Sequence, residues 1–301
     1  MNLAVQAVTM MLVGLLLLAI LWPSPRSGRN LLRRWLTEEP SAEQVGVAVR
    51  YLKRRRLWYP VLFVALSLVA SPLLPDDSDR GGSAVAGYLW PLLCGMLLAE
   101  LADLRPRRDV LRAASLRKRT LTDLVPGWAL VVFGLFTIVT VFLGVLGVVY
   151  REPVQALLRE HSSQVDAYVA VLMLEQSPRP AFATGFAIAC AVIVAAIAWT
   201  AMARPTRDDP DVDTALRRRS ARVAFGLGIA VQAVLLQVVC APLDNPLTVL
   251  KGMLSLLPGP VQYAHSLSFI FNRVAPVVGL LGWICSVFPR RPTARTRSAV
   301  G

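Results

Sequence analysis

Residues 126–150 read PGWALVVFGLFTIVTVFLGVLGVVY, 25 consecutive positions without a charged side chain. Coiled as an α-helix at 1.5 Å per residue, this stretch is about 37 Å long, and the hydrocarbon core of a bilayer is about 30 Å thick. Pro126 suits the first turn of such a helix, where its missing N–H is not needed. Six more apolar runs flank it: Leu3–Trp22, Trp58–Leu74, Ala84–Ala102, Ala181–Ala203, Val223–Ala241 and Ser266–Phe288. Of the 301 residues, 55% are apolar and 17% charged, well below the quarter usual in soluble domains. The expected fold is all-α, a polytopic transmembrane bundle of about seven helices. It forms one domain over residues 1–288, followed by a basic cytoplasmic tail, 289–301.

Charge sets the expected threading. No Lys or Arg precedes the first run, whereas Arg26, Arg29, Arg33 and Arg34 follow it. A secretory signal has the opposite polarity, so this run reads as a retained helix with its N-terminus outside. Segments 23–57, 103–125, 204–222 and 289–301 together hold 26 basic residues, and 75–83, 151–180 and 242–265 hold 5. By the positive-inside rule the first group faces the cytoplasm, which places the C-terminus inside and the protein in the plasma membrane. The seventh run is interrupted by Asn272-Arg273 and Pro276. Its clean part, Val274–Phe288, is only 15 residues long and must borrow from Ser266–Phe271 to span. A re-entrant segment is the alternative, and it would carry the basic tail outside.

The net charge of +13 would suggest a nucleic-acid partner in a soluble chain. Here the excess lies in short loops between apolar runs. The partners it implies are the bilayer and its anionic headgroups, together with a cytosolic or membrane protein, and no nucleic acid. From Thr37 to Arg56, acids come first (Glu38, Glu39, Glu43) and bases last (Arg50–Arg56), as a helix dipole prefers. A helix over Ser41–Arg55 sets Val45, Val49 and Leu52 on one face, as expected of a helix lying on the inner membrane surface. The run Asp208, Asp209, Asp211, Asp213 reads as a solvated acidic loop before Arg217–Arg219. It lacks the Gly turn and closing Glu of a calcium loop. In 151–180 an amphipathic helix is expected, with Val154, Leu157, Leu158, His161, Val165 and Tyr168 along one face.

The segment running from Arg112-Ala113-Ala114-Ser115-Leu116 to Asp123-Leu124-Val125-Pro126-Gly127-Trp128 resembles uncharacterised multi-span membrane proteins of actinobacteria. That resemblance covers some 17 residues and implies a membrane fold without an assigned activity.

Candidate chemistry is sparse. Cys94, Cys190, Cys240 and Cys285 fall in four different runs with no C-x-x-C spacing, and the only histidines are His161 and His265. No metal or cofactor is expected from this set, and the thiols read as packing residues. No catalytic residue is assigned. Intramembrane Ser-protease, His-Glu-x-x-His and retinal-lysine signatures are all missing from the sequence. The pairs Gly144/Gly147, Gly226/Gly228 and Gly279/Gly282 read as close-contact points between helices, not nucleotide loops. Two ionisable residues lie at membrane depth and are the candidate functional residues: Arg273 and Glu100. For both, the simpler expectation is a side chain snorkelling to the nearer interface. Together these features favour a non-enzymatic membrane component of a larger assembly or transport system. An ABC-type permease subunit and a lipid-modifying membrane enzyme are the alternatives.

Overall fold

A computed structural model describes residues 3–20, 22–35, 39–58, 60–62, 64–65, 81–103, 120–160, 180–203, 209–249 and 258–288. All of its regular structure is helical: α1 (Leu3–Ile20), α2 (Pro25–Trp35), α3 (Ala42–Arg56), α4 (Gly81–Asp103), α5 (Leu121–Leu124), α6 (Gly127–Glu160), α7 (Pro180–Ala203), α8 (Pro210–Val249) and α9 (Gly259–Val287). Among the described residues four segments are long and apolar enough to cross a membrane: Gly127–Ala156, Pro180–Ala203, Pro210–Cys240 and Gly259–Val287. The first expected span falls on the charge-free α1 and the third on α4, whose Leu92–Ala102 part is a shorter apolar helix; neither is among those four. Positions 66–74 of the second expected span lie outside the described residues.

Three boundaries differ from the sequence reading. The helix expected to end at Tyr150 runs on through Pro153 to Glu160, taking in the start of the amphipathic segment, whose remainder lies outside the described residues. The seventh run is one unbroken 29-residue helix beginning at Gly259, seven residues earlier than expected, with Pro258 before it and Pro260 in its first turn. At about 43 Å it has the length to span without borrowing from a loop. The sixth run is the middle of a 40-residue helix, because the acidic segment before it is itself helical.

Helix α8 is the axle of the bundle: 72% of its apolar window is buried, against 22% for α9. Lipid tails are as apolar as leucine side chains, so helices inside a membrane gain from close packing rather than from escaping water. The glycines supply that closeness, as the sequence suggests. A Cβ on Gly279 would sit 2.5 Å from Ala233 Cβ, and one on Gly226 would sit 2.6 Å from Ser286 Cβ. Gly144 lies against Thr184 and Gly147 against Pro180, so α6 and α7 meet backbone to side chain. Hydroxyls within the spans bond to their own helices: Thr140 Oγ1 donates to Phe136 O at 2.7 Å and Thr184 Oγ1 to Pro180 O at 2.8 Å. Gly279→Ala is therefore expected to destabilise the protein by about 1–3 kcal/mol, since its methyl collides with a facing Cβ that cannot yield. Gly185→Ala, with nothing within 4 Å, is expected to be neutral or to stabilise by up to about 1 kcal/mol. Thermal melts of both variants in mild detergent check the pair; equal melting points would refute the close contact.

Candidate functional site at the basic end of the bundle

The helix ends that the charge pattern assigns to one compartment meet at one end of the bundle. Helices α2 and α3 form a hairpin there. Gly28 lets the two approach closely, a Cβ at that position lying 2.7 Å from Val49 Cγ2. Helix α3 starts with a capping box: Gln44 N–H donates to Ser41 Oγ at 3.2 Å, and Ser41 N–H donates to Gln44 Oε1 at 2.9 Å. Its apolar face does not lie on lipid, as the sequence suggested. Val45, Ala48 and Leu52 are buried with Leu31 and Leu32 of α2 and with Val212, Ala215 and Leu216 at the foot of α8. Each large aliphatic side chain buried there contributes roughly 1.5–3 kcal/mol.

Polar ties fasten the hairpin to the spans. The Gln44 side chain has a second contact, its Nε2 donating to Asp209 Oδ2 at 2.7 Å. Asp209 is the N-cap of α8, its Oδ1 accepting from Asp211 N–H at 3.0 Å and Val212 N–H at 3.1 Å. Burial would raise the Asp209 pKa. The Gln44 amide and the Val212 and Asp211 N–H groups outweigh it and hold the carboxyl below its usual value.

Glu100 is fully buried and does not snorkel. Its Oε1 accepts from the Tyr51 hydroxyl of α3 at 2.5 Å and from the Ser220 hydroxyl of α8 at 2.6 Å. One carboxylate oxygen thus joins three helices. A turn away on α3, Arg54 donates to Ala102 O at the end of α4, at 3.3 Å.

Nor is the described part of the acidic run, from Asp209 on, a solvated loop; Asp208 lies outside the described residues. Asp213 faces Arg217 one turn on, with Nε to Oδ2 at 2.6 Å and side-chain exposures of 1% and 2%. Arg217 also donates to Ala201 O at 3.1 Å and Met202 O at 3.3 Å, satisfying carbonyls at the C-terminal end of α7. Arg222 does the same for Leu124 O at the end of α5, at 3.3 Å.

Arg273 lies elsewhere. It is exposed on α9, its Nη1 donates to Phe269 O at 2.9 Å, and its guanidinium stacks 3.4 Å above the Phe269 ring centroid. The structure does not bring Arg273 and Glu100 together. The carbonyl released by Pro276 belongs to Asn272, four residues earlier. Gln237 Nε2 of α8 reaches that oxygen at 3.5 Å, so the proline's lost bond is replaced from a neighbouring helix. Gln232 ties α8 to α7 in the same way, donating to Ala187 O at 2.8 Å.

Of the thiols, Cys190 and Cys240 are buried, Cys94 is half-buried and Cys285 is exposed; none of the four is in a disulfide. Among the described residues no group of three Cys, His, Asp or Glu side chains could hold a metal ion.

Sequence reasoning missed Tyr51, Ser220, Gln44, Asp213 and Arg217 as partners. For the last two the signal was present: an acid four residues before a base on one helix face. Compared with protein families, curated proteins and solved structures, the chain matches none. What stands without such help is a helical chain that has, among its described residues, four helices long and apolar enough to cross a membrane, the mark of a membrane-embedded protein.

Proposed function

We propose that this chain is a non-enzymatic, multi-pass component of a larger plasma-membrane assembly or transport system, with its N-terminus outside and its C-terminus inside. The observation that carries the reading is the outward face of α9. Its small residues Ala275, Gly279, Gly282 and Ser286 are buried, while Phe269, Ile270, Val274 and Val277 are exposed, and Arg273 stands exposed among them. Ionisable residues within spans almost always face protein or water, because lipid contact is costly. A neighbouring subunit lying over α9 gives Arg273 that environment. The use of Glu100, Asp213 and Arg217 to join helices supports a structural rather than catalytic role for the buried charges. The reading calls for no cofactor.

Affinity purification of the full chain in mild detergent tests it. The wild type is expected to bring down a membrane protein in fixed ratio. Arg273→Leu should lose that partner without a lower melting point, because its side chain is exposed and supports no other helix. Arg273→Lys should also weaken capture if the guanidinium holds its partner through two N–H groups, since lysine lacks the planar fork. A wild-type chain that purifies alone and monodisperse overturns the proposal. For the threading, a reporter fused to the C-terminus is expected to read inside; an outside signal removes α9 from the count of spans.

A further inference from the structure

We propose that the α2–α3 hairpin is a built docking surface for anionic phospholipid headgroups of the inner leaflet. The inference rests on the chain being embedded in a membrane with the orientation proposed above and does not need the proposed partner subunit. Successive residues of a helix turn by about 100°. On α2 that rotation gathers Arg26, Arg29, Arg33 and Arg34 on one side, all exposed, and places Gly28, Leu31 and Leu32 on the other, all buried. On α3, Arg50 and Lys53 are exposed, while Val45, Ala48, Tyr51 and Leu52 are buried. Both helices therefore spend their apolar sides on the bundle and present basic sides outward. Among the described residues the exposed acidic groups on the hairpin are Glu39, which pairs with Arg33 at 3.0 Å, and Glu43, with Asp211 exposed at the foot of α8.

A run of charge alone is an ordinary solvated face. Two contacts place this one at the headgroup layer. Lys53 Nζ lies 5.7 Å from the centre of the Trp22 ring, just beyond the end of α1. The Arg34 guanidinium lies 5.1 Å from the centre of the Phe288 ring, just beyond the end of α9. Both rings are about half exposed, at 48% and 54%. A tryptophan at the end of an apolar helix marks the interface between hydrocarbon and water, where anionic lipids attract juxtamembrane bases, and Phe288 ends the apolar run of α9. The hairpin is thus pinned beside the inner ends of two apolar helices. Its bases stand at the depth of lipid phosphates, and its position is fixed by the Glu100 and Asp209 contacts. A rigid array of guanidinium groups suits phosphate oxygens, which they can hold through paired N–H donors.

The test uses delipidated full-length protein in neutral detergent, titrated separately with phosphatidylglycerol and phosphatidylcholine, with bound lipid counted by native mass spectrometry. Phosphatidylglycerol is expected to be retained in preference to phosphatidylcholine. The triple variant Arg26→Gln/Arg29→Gln/Arg34→Gln should lower that retention roughly tenfold or more. Arg159→Gln, at the opposite end of the bundle, should leave it unchanged. Independently of any variant, raising the salt in the wild-type titration should weaken the preference, because exposed charge pairs are screened. Equal retention of the two lipids, a triple variant that keeps the wild-type preference, or a preference indifferent to salt each overturns the proposal. So does tighter binding of a short DNA duplex that displaces the lipid. None of these readouts depends on a protein partner, so failure here is distinct from failure of the assembly reading.

Discussion

Arg217→Leu is expected to destabilise the folded protein by about 3–5 kcal/mol, the cost of stranding one member of a buried ion pair. Asp213 would stay behind at 1% side-chain exposure with its close cationic partner removed, and the Ala201 and Met202 carbonyls would lose their donor. Asp213→Leu should cost a similar amount for the mirror reason. The double variant Asp213→Leu/Arg217→Leu should recover much of the loss, because a well-packed apolar pair in place of a buried ion pair is often neutral. Recovery should be incomplete, since the two α7 carbonyls still lack a partner. Denaturant unfolding of the four proteins in mild detergent gives the cycle. Single variants costing less than about 1 kcal/mol would mean that the pair is exposed to water, contrary to the structure.

Glu100→Leu is expected to cost roughly 2–6 kcal/mol, about 1–3 for each of the two buried hydroxyl bonds it removes. Glu100→Gln keeps an acceptor oxygen and should cost less. Tyr51→Phe deletes a single donor and should cost about 1 kcal/mol. The location of the damage separates this contact from general loss of packing. Hydrogen exchange should quicken first in α3 and in the turns of α8 around Ser220, while the α8–α9 contact stays protected. An unchanged α3 in Glu100→Leu would show that the carboxylate does not hold the hairpin.

The four apolar spans were legible because a bilayer imposes a length, and length can be counted without knowing any contact. The glycine contacts were legible for a related reason. Where lipid solvates helices as well as protein does, glycine has little use on a helix face except to admit a neighbour. What could not be read were partners distant in sequence. Tyr51 and Ser220 lie 49 and 120 residues from Glu100, and nothing local announces that they converge on it. A lone carboxylate near a span end therefore looks like one reaching for water. The acidic run was misread differently. Four acids ahead of a basic stretch look like a solvated loop, yet Pro210 is at home in a first helical turn, and Val212, Ala215 and Leu216 already carry the spacing of a buried helix face. Arg273 was identified from sequence, but its surroundings were not, because a helical sequence does not say which of its faces meets a neighbour and which meets lipid.

The double use of Gln44 bears on how the protein is made. Its amide closes the start of α3 and also grips Asp209, which is synthesised 165 residues later. At ribosomal speeds of about 5–20 residues per second, the hairpin waits roughly 8–33 s for the segment that completes it. Throughout that interval Leu31, Leu32, Val45 and Leu52 lack the cover of Val212, Ala215 and Leu216. For a nascent chain tethered at the membrane, the nearest apolar refuge is the interfacial layer. The amphipathic character that reads in the sequence as a surface-lying helix thus suits this waiting stage of biogenesis, and the finished fold withdraws that face from lipid.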